Sequence, residues 1–192
     1  VIYLALGLTD KNRLYCGEML LVAGASSFLV NESLQMVLYI TVGAQPKLHF
    51  VSFASLSTLD PTQSFDHPDN LLVEFAEARP VERGARLVSA PYGSPKIIVQ
   101  QPRGNLEGFE PRALVLLQAR KLMDNQEYYQ VMVMFRRQKI DLNLLIDHNP
   151  SLFLLHCDQF VTECIKKSKM DGGRTNQTGI EMLALLITSL SD

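Results

Sequence analysis

The chain has 192 residues, of which 47% are hydrophobic and 20% charged, with a formal net charge of -2. That composition excludes wholesale disorder, and the near-neutral balance excludes a strongly basic nucleic-acid glove. The length admits one domain or parts of two.

The first residue is Val1, and the run IYLALGL that follows has no basic flank and no small-residue cleavage site. It is not a signal peptide, and the chain is expected to be soluble and a piece of something longer. Residues 2–8, 13–16, 18–23, 27–30, 35–42 and 47–53 read as strands, separated by turn formers such as Thr9-Asp-Lys-Asn12, Gly17 and Gly43-Ala-Gln-Pro46. Short strands at this even spacing predict the antiparallel hairpins of a sandwich, barrel or propeller blade. The runs MVLYITV and LHFVSF are too apolar for a sheet wetted on one side, so both faces are expected to be covered. Residues 54–70, with Pro61, Pro68 and three Asp, read as a loop. Residues 71–76, 85–90 and 96–101 return to strand character.

At Pro102 the spacing changes. Pro102 and Gly104 are expected to end the sheet and act, with Asn105, as a structural hinge from strand to helix. Gly104 would supply a backbone angle and Asn105 a local hydrogen bond. Arg103-Gly-Asn-Leu-Glu107 lacks the spacing of a phosphate-binding loop. Glu110-Pro111 starts the first helix, with Ala113, Leu116, Leu117 and Arg120 on one face. Asp124-Asn125 offers a cap for the second, where Tyr128, Val131, Met132 and Phe135 recur at helical spacing. Asn149 caps a third helix that runs through Phe153, Cys157, Phe160 and Cys164. Successive short antiparallel helices predict an α-solenoid. Residues 166–179 are polar and Gly-rich and read as flexible. Ile180–Leu190 is apolar but short of the roughly 20 residues needed to cross a bilayer.

Few of these residues carry chemistry. Cys16, Cys157 and Cys164 are odd in number and lack CxxC spacing, which disfavours a disulfide framework and favours a reducing compartment. His148, His156, Cys157 and Cys164 lack the close pairs of a structural zinc site, so no metal is expected. Asn31-Glu-Ser and Asn176-Gln-Thr match the glycosylation pattern, which carries no meaning in a cytosolic chain. There is no GxSxG, no Cys–His–Asn set and no recognisable pair of carboxylates, and no catalytic residue or cofactor is assigned. Asp147-His148 are adjacent in a turn and are not expected to pair. Arg120, Lys121, Arg136, Arg137 and Lys139 form a basic cluster along the helices. The bland reading is a solvated face or a surface for a neighbouring subunit. Direct nucleic-acid contact is disfavoured because Asp124, Glu127 and Asp141 dilute the field.

The wording of PVERGARLVSAP (80–91), KIIVQQPRGNLE (96–107), RALVLLQARKLMDNQEYYQVMVMFRRQKIDLNLLIDHNP (112–150) and FLLHCDQFV (153–161) resembles the family of the largest Elongator subunit. The resemblance covers about residues 1–165 and is strongest from 80 onward. It implies a β-then-α chain: residues 1–104 as the last blades of a WD40-like β-propeller, 105–165 as the start of a TPR-like α-solenoid, and 166–192 as a flexible or divergent tail. It further implies a non-catalytic scaffold, without cofactor, for wobble-uridine modification of transfer RNA. Its partners would be the other Elongator subunits, with transfer RNA met indirectly through the complex and no membrane. Homodimerisation would use a region absent here. The location would be the cytoplasm, with the nucleus as a second candidate. A subunit of a vesicle coat or tethering complex is the alternative, since it shares the architecture.

Overall fold

The computed structural model describes residues 5–57, 78–169 and 178–189. The chain divides into two compact units, Val1–Val115 and Leu116–Asp192. The first is built from antiparallel sheets, and the second from helices.

Among the described residues, three consecutive meanders make up the β unit. Strands β1 (Leu6–Leu8), β2 (Arg13–Cys16) and β3 (Met19–Ala23) form the first sheet. Next come β4 (Ala25–Asn31), β5 (Met36–Thr41), β6 (Lys47–Ser52) and the two-residue β7 (Arg79–Pro80), paired in that order. Strands β8 (Arg86–Ser89), β9 (Ile97–Gln100) and β10 (Leu106–Phe109) form the third. The turns follow local chemistry. Gly17 and Asn12 both adopt positive φ, the one without a Cβ penalty and the other as a residue type that tolerates it.

Met36 to Ile40 are all buried, as are Leu48 to Val51, so both faces of β5 and β6 are covered as the apolar runs required. Leu14, Leu21 and Val22 of the first sheet pack with Val37, Tyr39 and Val51 of the second in one core. His49 is buried there at 3% exposure and stacks on Tyr39, with ring centroids 4.8 Å apart and planes 4° from parallel. Asn31 is buried as well. Its carboxamide oxygen accepts from Ser33 Oγ at 2.7 Å and Leu34 N at 3.0 Å, while its Nδ2 donates to the Ser94 carbonyl. The Asn31-Glu-Ser pattern is thus a turn tying the second sheet to the third, with its amide committed. Asn176 lies outside the described residues.

Several expectations need correction. Residues 54–57, read as loop, belong to a short helix α1 (Phe53–Ser57) whose Leu56 is buried in the core. The remainder of the loop 54–70, and the strand expected at 71–76, lie outside the described residues. The sheet does not end at Gly104: β10 pairs with β9 from Leu106↔Gln100 to Phe109↔Ile97, so residues 106–109 are sheet, not solenoid. A glycine and a glutamate dilute the strand character of LEGF, and pairing with β9 overrides that propensity.

Helix α2 (Arg112–Asp124) follows, and α3 (Tyr128–Gln138), α4 (Leu144–Asp147), α5 (Pro150–Leu155), α6 (Cys157–Lys169) and α7 (Thr178–Ser189) complete the chain. On α2 the buried positions are Leu114, Val115, Gln118, Ala119, Leu122 and Met123, one residue round from the face expected, and Arg120 is exposed. On α3 the expected stripe Tyr128, Val131, Met132 and Phe135 is the buried one. No side chain caps α3 through Asp124 or Asn125. Glu127 is its N-cap residue, and Gln126 turns the chain at φ 64°. The single third helix is two, broken at His156, whose φ of -109° and ψ of 9° leave the helical region. Asn149 does cap α5, its Oδ1 accepting from Leu152 N at 3.1 Å.

Tyr128, Phe153 and Phe160 meet edge-on or tilted, with centroids 5.1 to 6.3 Å apart, and join α3, α5 and α6. Residues 166–169, expected to be flexible, continue α6, and α7 packs along it with Met182 and Leu186 buried. The residues between, 170–177, lie outside the description. Met182, Leu183 and Leu186 recur at helical spacing, which the polar composition upstream obscured. Among the described residues no helix is long and apolar enough to cross a membrane.

Candidate functional site

The segment proposed as a hinge is a tight hairpin turn. Gly104 N donates to Gln101 O and Gln101 N to Asn105 O, both at 2.8 Å. Gly104 holds φ at +90°, a conformation that disfavours any side chain. Asn105 contributes its backbone carbonyl, where the sequence pointed to its side chain. Pro102, Gly104 and Asn105 therefore connect strand to strand. The change from strand to helix falls later, between Phe109 and Arg112.

The five cations of the basic cluster are all exposed. Lys121 lies in the last turn of α2, and Arg136 and Arg137 in the last turn of α3. Lys139 is the left-handed C-cap of α3 at φ 52°, its N–H donating to the carbonyls of Phe135 and Arg136. Cations at these positions complement the partial negative charge of unsatisfied helix carbonyls. Only Arg120 of the five stands outside that explanation. Arg137 also lines a cavity of about 330 Å³ with Tyr129, Val133 and Glu163, so a carboxylate shares its field.

A second cavity of about 600 Å³ lies between the start of α3 and α6. Glu127, Asp158 and Glu163 line it, with Lys166 as the one cation among its lining residues. The two cavities share Gln130 and Glu163, so the α3–α6 seam is a polar, acidic-leaning groove with Arg137 and Lys166 as the cations of its lining. Sequence reading missed this groove, because its two walls are some thirty residues apart and neither has a charge pattern of its own.

The candidate ligands for a metal disperse. His148 Nε2 sits 2.8 Å from Asp124 Oδ1, tying the end of α2 to the α4–α5 corner, and does not pair with its neighbour Asp147. Cys164 is fully buried, and burial, reinforced by the charge of Glu163, pushes its thiol up to about 11. Such a thiol packs as a small hydrophobe. Among the described residues no three His, Cys, Asp or Glu side chains come together as metal ligands.

A sequence model described as the ELP1 N-terminal second β-propeller matches residues 2–88. One described as the ELP1 α-solenoid matches residues 112–171. The chain belongs to the Elongator complex protein 1 family. It is 35% identical over 158 residues to Elongator complex protein 1 of Oryctolagus cuniculus, covering 82% of this chain and 11% of that protein. Against the Schizosaccharomyces pombe protein the values are 33% over 170 residues, 88% and 13%. With that of Saccharomyces cerevisiae, 30% identity extends over 189 residues, 98% of this chain and 12% of the relative. The chain thus spans roughly a tenth of the length of these relatives. Propeller followed by solenoid is its fold, as the three meanders and the successive helices display in order.

Proposed function

We propose that this chain is a non-catalytic scaffold segment of the Elongator complex, supporting wobble-uridine modification of transfer RNA. The observation that carries the reading is the union, in one polypeptide, of a β unit and a helical unit that match two domains of one Elongator subunit. A propeller presents loops and sheet edges at its rim, and a solenoid presents a row of helix faces. Both are docking surfaces for proteins. In keeping with this, Leu154 and Leu155 on α5 are 70% and 76% exposed, an apolar pair in place for a neighbouring element. The α3–α6 groove, lined by Arg137, together with the exposed cations Arg120, Lys121, Arg136 and Lys139, is the surface we assign to contacts with other Elongator subunits.

In this reading the chain works in the cytoplasm without cofactor or membrane and meets transfer RNA only through the complex. Dimerisation belongs to a region outside these residues. The matches named above are all to Elongator proteins, and the vesicle coat or tether reading is set aside.

The test is genetic and biochemical. Replacing Leu154 and Leu155 by Glu in the protein at its native locus is expected to reduce recovery of the other Elongator subunits in affinity purification. Deleting the residues of this chain should lower wobble-uridine side-chain modification, measured by mass spectrometry of transfer RNA nucleosides. Unchanged modification after deletion would overturn the assignment.

A further inference from the structure

Where the end of β5 faces the turn before β8, the β unit encloses a cavity of about 330 Å³ whose charged lining consists of two arginines, Arg83 and Arg86. We propose that this cavity is a binding site for a phosphorylated side chain of a partner peptide, the two guanidinium groups gripping the phosphate.

The walls are set before any ligand arrives. Ala85 is buried, and its N–H donates to Glu82 O at 3.0 Å, closing the tight turn that carries Arg83. Gly84 holds φ at +92° within that turn, beside Pro102. Leu87 N donates to Ser27 Oγ at 3.0 Å, fastening the start of β8 to β4 beside the cavity. Opposite, Val42 N donates to Gly24 O at 2.7 Å and Val81 N to Pro46 O at 3.0 Å. A site held by backbone bonds loses little entropy when it is filled.

The donors available in it are cationic. Ser26 Oγ donates to Ile40 O, and Thr41 Oγ1 donates to Lys47 O while accepting from Lys47 N, so both hydroxyls serve the wall. Both arginines are exposed. Neither is held in an ion pair among the described residues, and Glu82 is not among the lining residues. Each guanidinium offers five N–H donors and no acceptor, so the cavity calls for an acceptor-only anion. Two positive charges match a phosphomonoester, at about -1.5 to -2, better than a carboxylate at -1.

A peptide fits this setting better than a nucleic acid. Nucleic-acid grooves line up cations along a strand and provide rings on which bases stack. Here the cations converge on one pocket, and no aromatic residue lines it. Val42, which is 47% exposed, gives the lining an apolar rim. Such a rim suits an aliphatic side chain next to the phosphorylated one, in the manner of arginine-based phosphopeptide recognition.

Site-resolved protection tests this in the assembled complex purified from its host. Arginine modification by phenylglyoxal would be followed residue by residue by mass spectrometry. The probes are an acetylated pentapeptide with a central phosphoserine flanked by valines, its unphosphorylated twin, mixed-sequence single-stranded RNA, and inorganic phosphate. The phosphopeptide is expected to slow modification of Arg83 and Arg86 at least fivefold while leaving Arg13 and Arg120 unaffected, and the twin should do nothing. Binding of a fluorescent phosphopeptide should fall at least tenfold in R83K/R86K, which keeps the charge but loses the paired N–H fork. Equal protection by inorganic phosphate, stronger protection by RNA, no protection at all, or full binding to R83K/R86K would each overturn the proposal.

Discussion

Five consecutive residues of β5, Met36 to Ile40, are buried, whereas no more than two neighbours are buried together anywhere in the described helical unit. A strand between two layers hides both of its faces. A helix in a row of helices hides one stripe and leaves the rest to solvent or to the next element. The consequence shows at the surface: Leu154, Leu155 and Ile187 of the helical unit are each more than two-thirds exposed. The β unit closes over the apolar residues of β5 and β6, leaving Tyr92 and Leu106 outside, and the helical unit offers Leu154, Leu155 and Ile187 outward. A scaffold needs both habits, one to be rigid and one to be adhesive.

If the two units carry separate cores, a large cavity in one should leave the other intact. Phe50→Ala, in β6, and Phe135→Ala, in α3, each remove a ring that is at most 1% exposed. Each should destabilise its own unit by about 3–5 kcal/mol. Native-state hydrogen exchange on the assembled protein would show loss of protection confined to the mutated unit, and loss across both would break the comparison.

Gly104→Ala tests where one unit gives way to the other. The added Cβ meets open space, so the cost is that of the positive φ, about 1–2 kcal/mol. Exchange should rise in β9 and β10 and stay unchanged in α2. Rising exchange in α2 instead would restore the hinge reading.

Asn149→Ala removes the acceptor for Leu152 N and should cost about 1 kcal/mol, confined to α5. Asn149→Asp, which keeps an acceptor, should restore most of it.

The smallest effect is a slope with pH. Cys164 keeps its proton to about 11 in the folded chain, while an unfolded thiol releases it near its ordinary value of 9.0. Below the unfolded value both states are protonated and nothing is lost. Between about 9 and 11 only the unfolded state ionises, so the stability of the helical unit should decline across that window. In Cys164→Ala this contribution to the slope should vanish, as followed by denaturant unfolding at stepped pH.

Much of this was legible beforehand, and for identifiable reasons. The stripe Tyr128, Val131, Met132 and Phe135 was readable because the recurrence of apolar residues every three or four positions needs no partner to be seen. The burial of both faces of β5 was readable because MVLYIT has no polar alternation to give to solvent. Asn149 was readable as a cap because an Asn before Pro is a local signal. The face of α2 was not, since Leu114, Val115, Leu116 and Leu117 leave every direction apolar and only the neighbours choose. Nor was β10: LEGF is a weak strand alone, and it exists because β9 supplies a register for it. The break at His156 and the helix at 178–189 were likewise hidden from composition.

What the amino-acid order settled alone is the succession of antiparallel hairpins and then amphipathic helices, because short apolar runs between turn formers give way to apolar residues recurring every three or four positions. Where that change falls, which carboxylates share the α3–α6 groove, and which two arginines face one cavity were decided by the fold. These depend on residues far apart in sequence, and only backbone pairing and packing bring them to the same place.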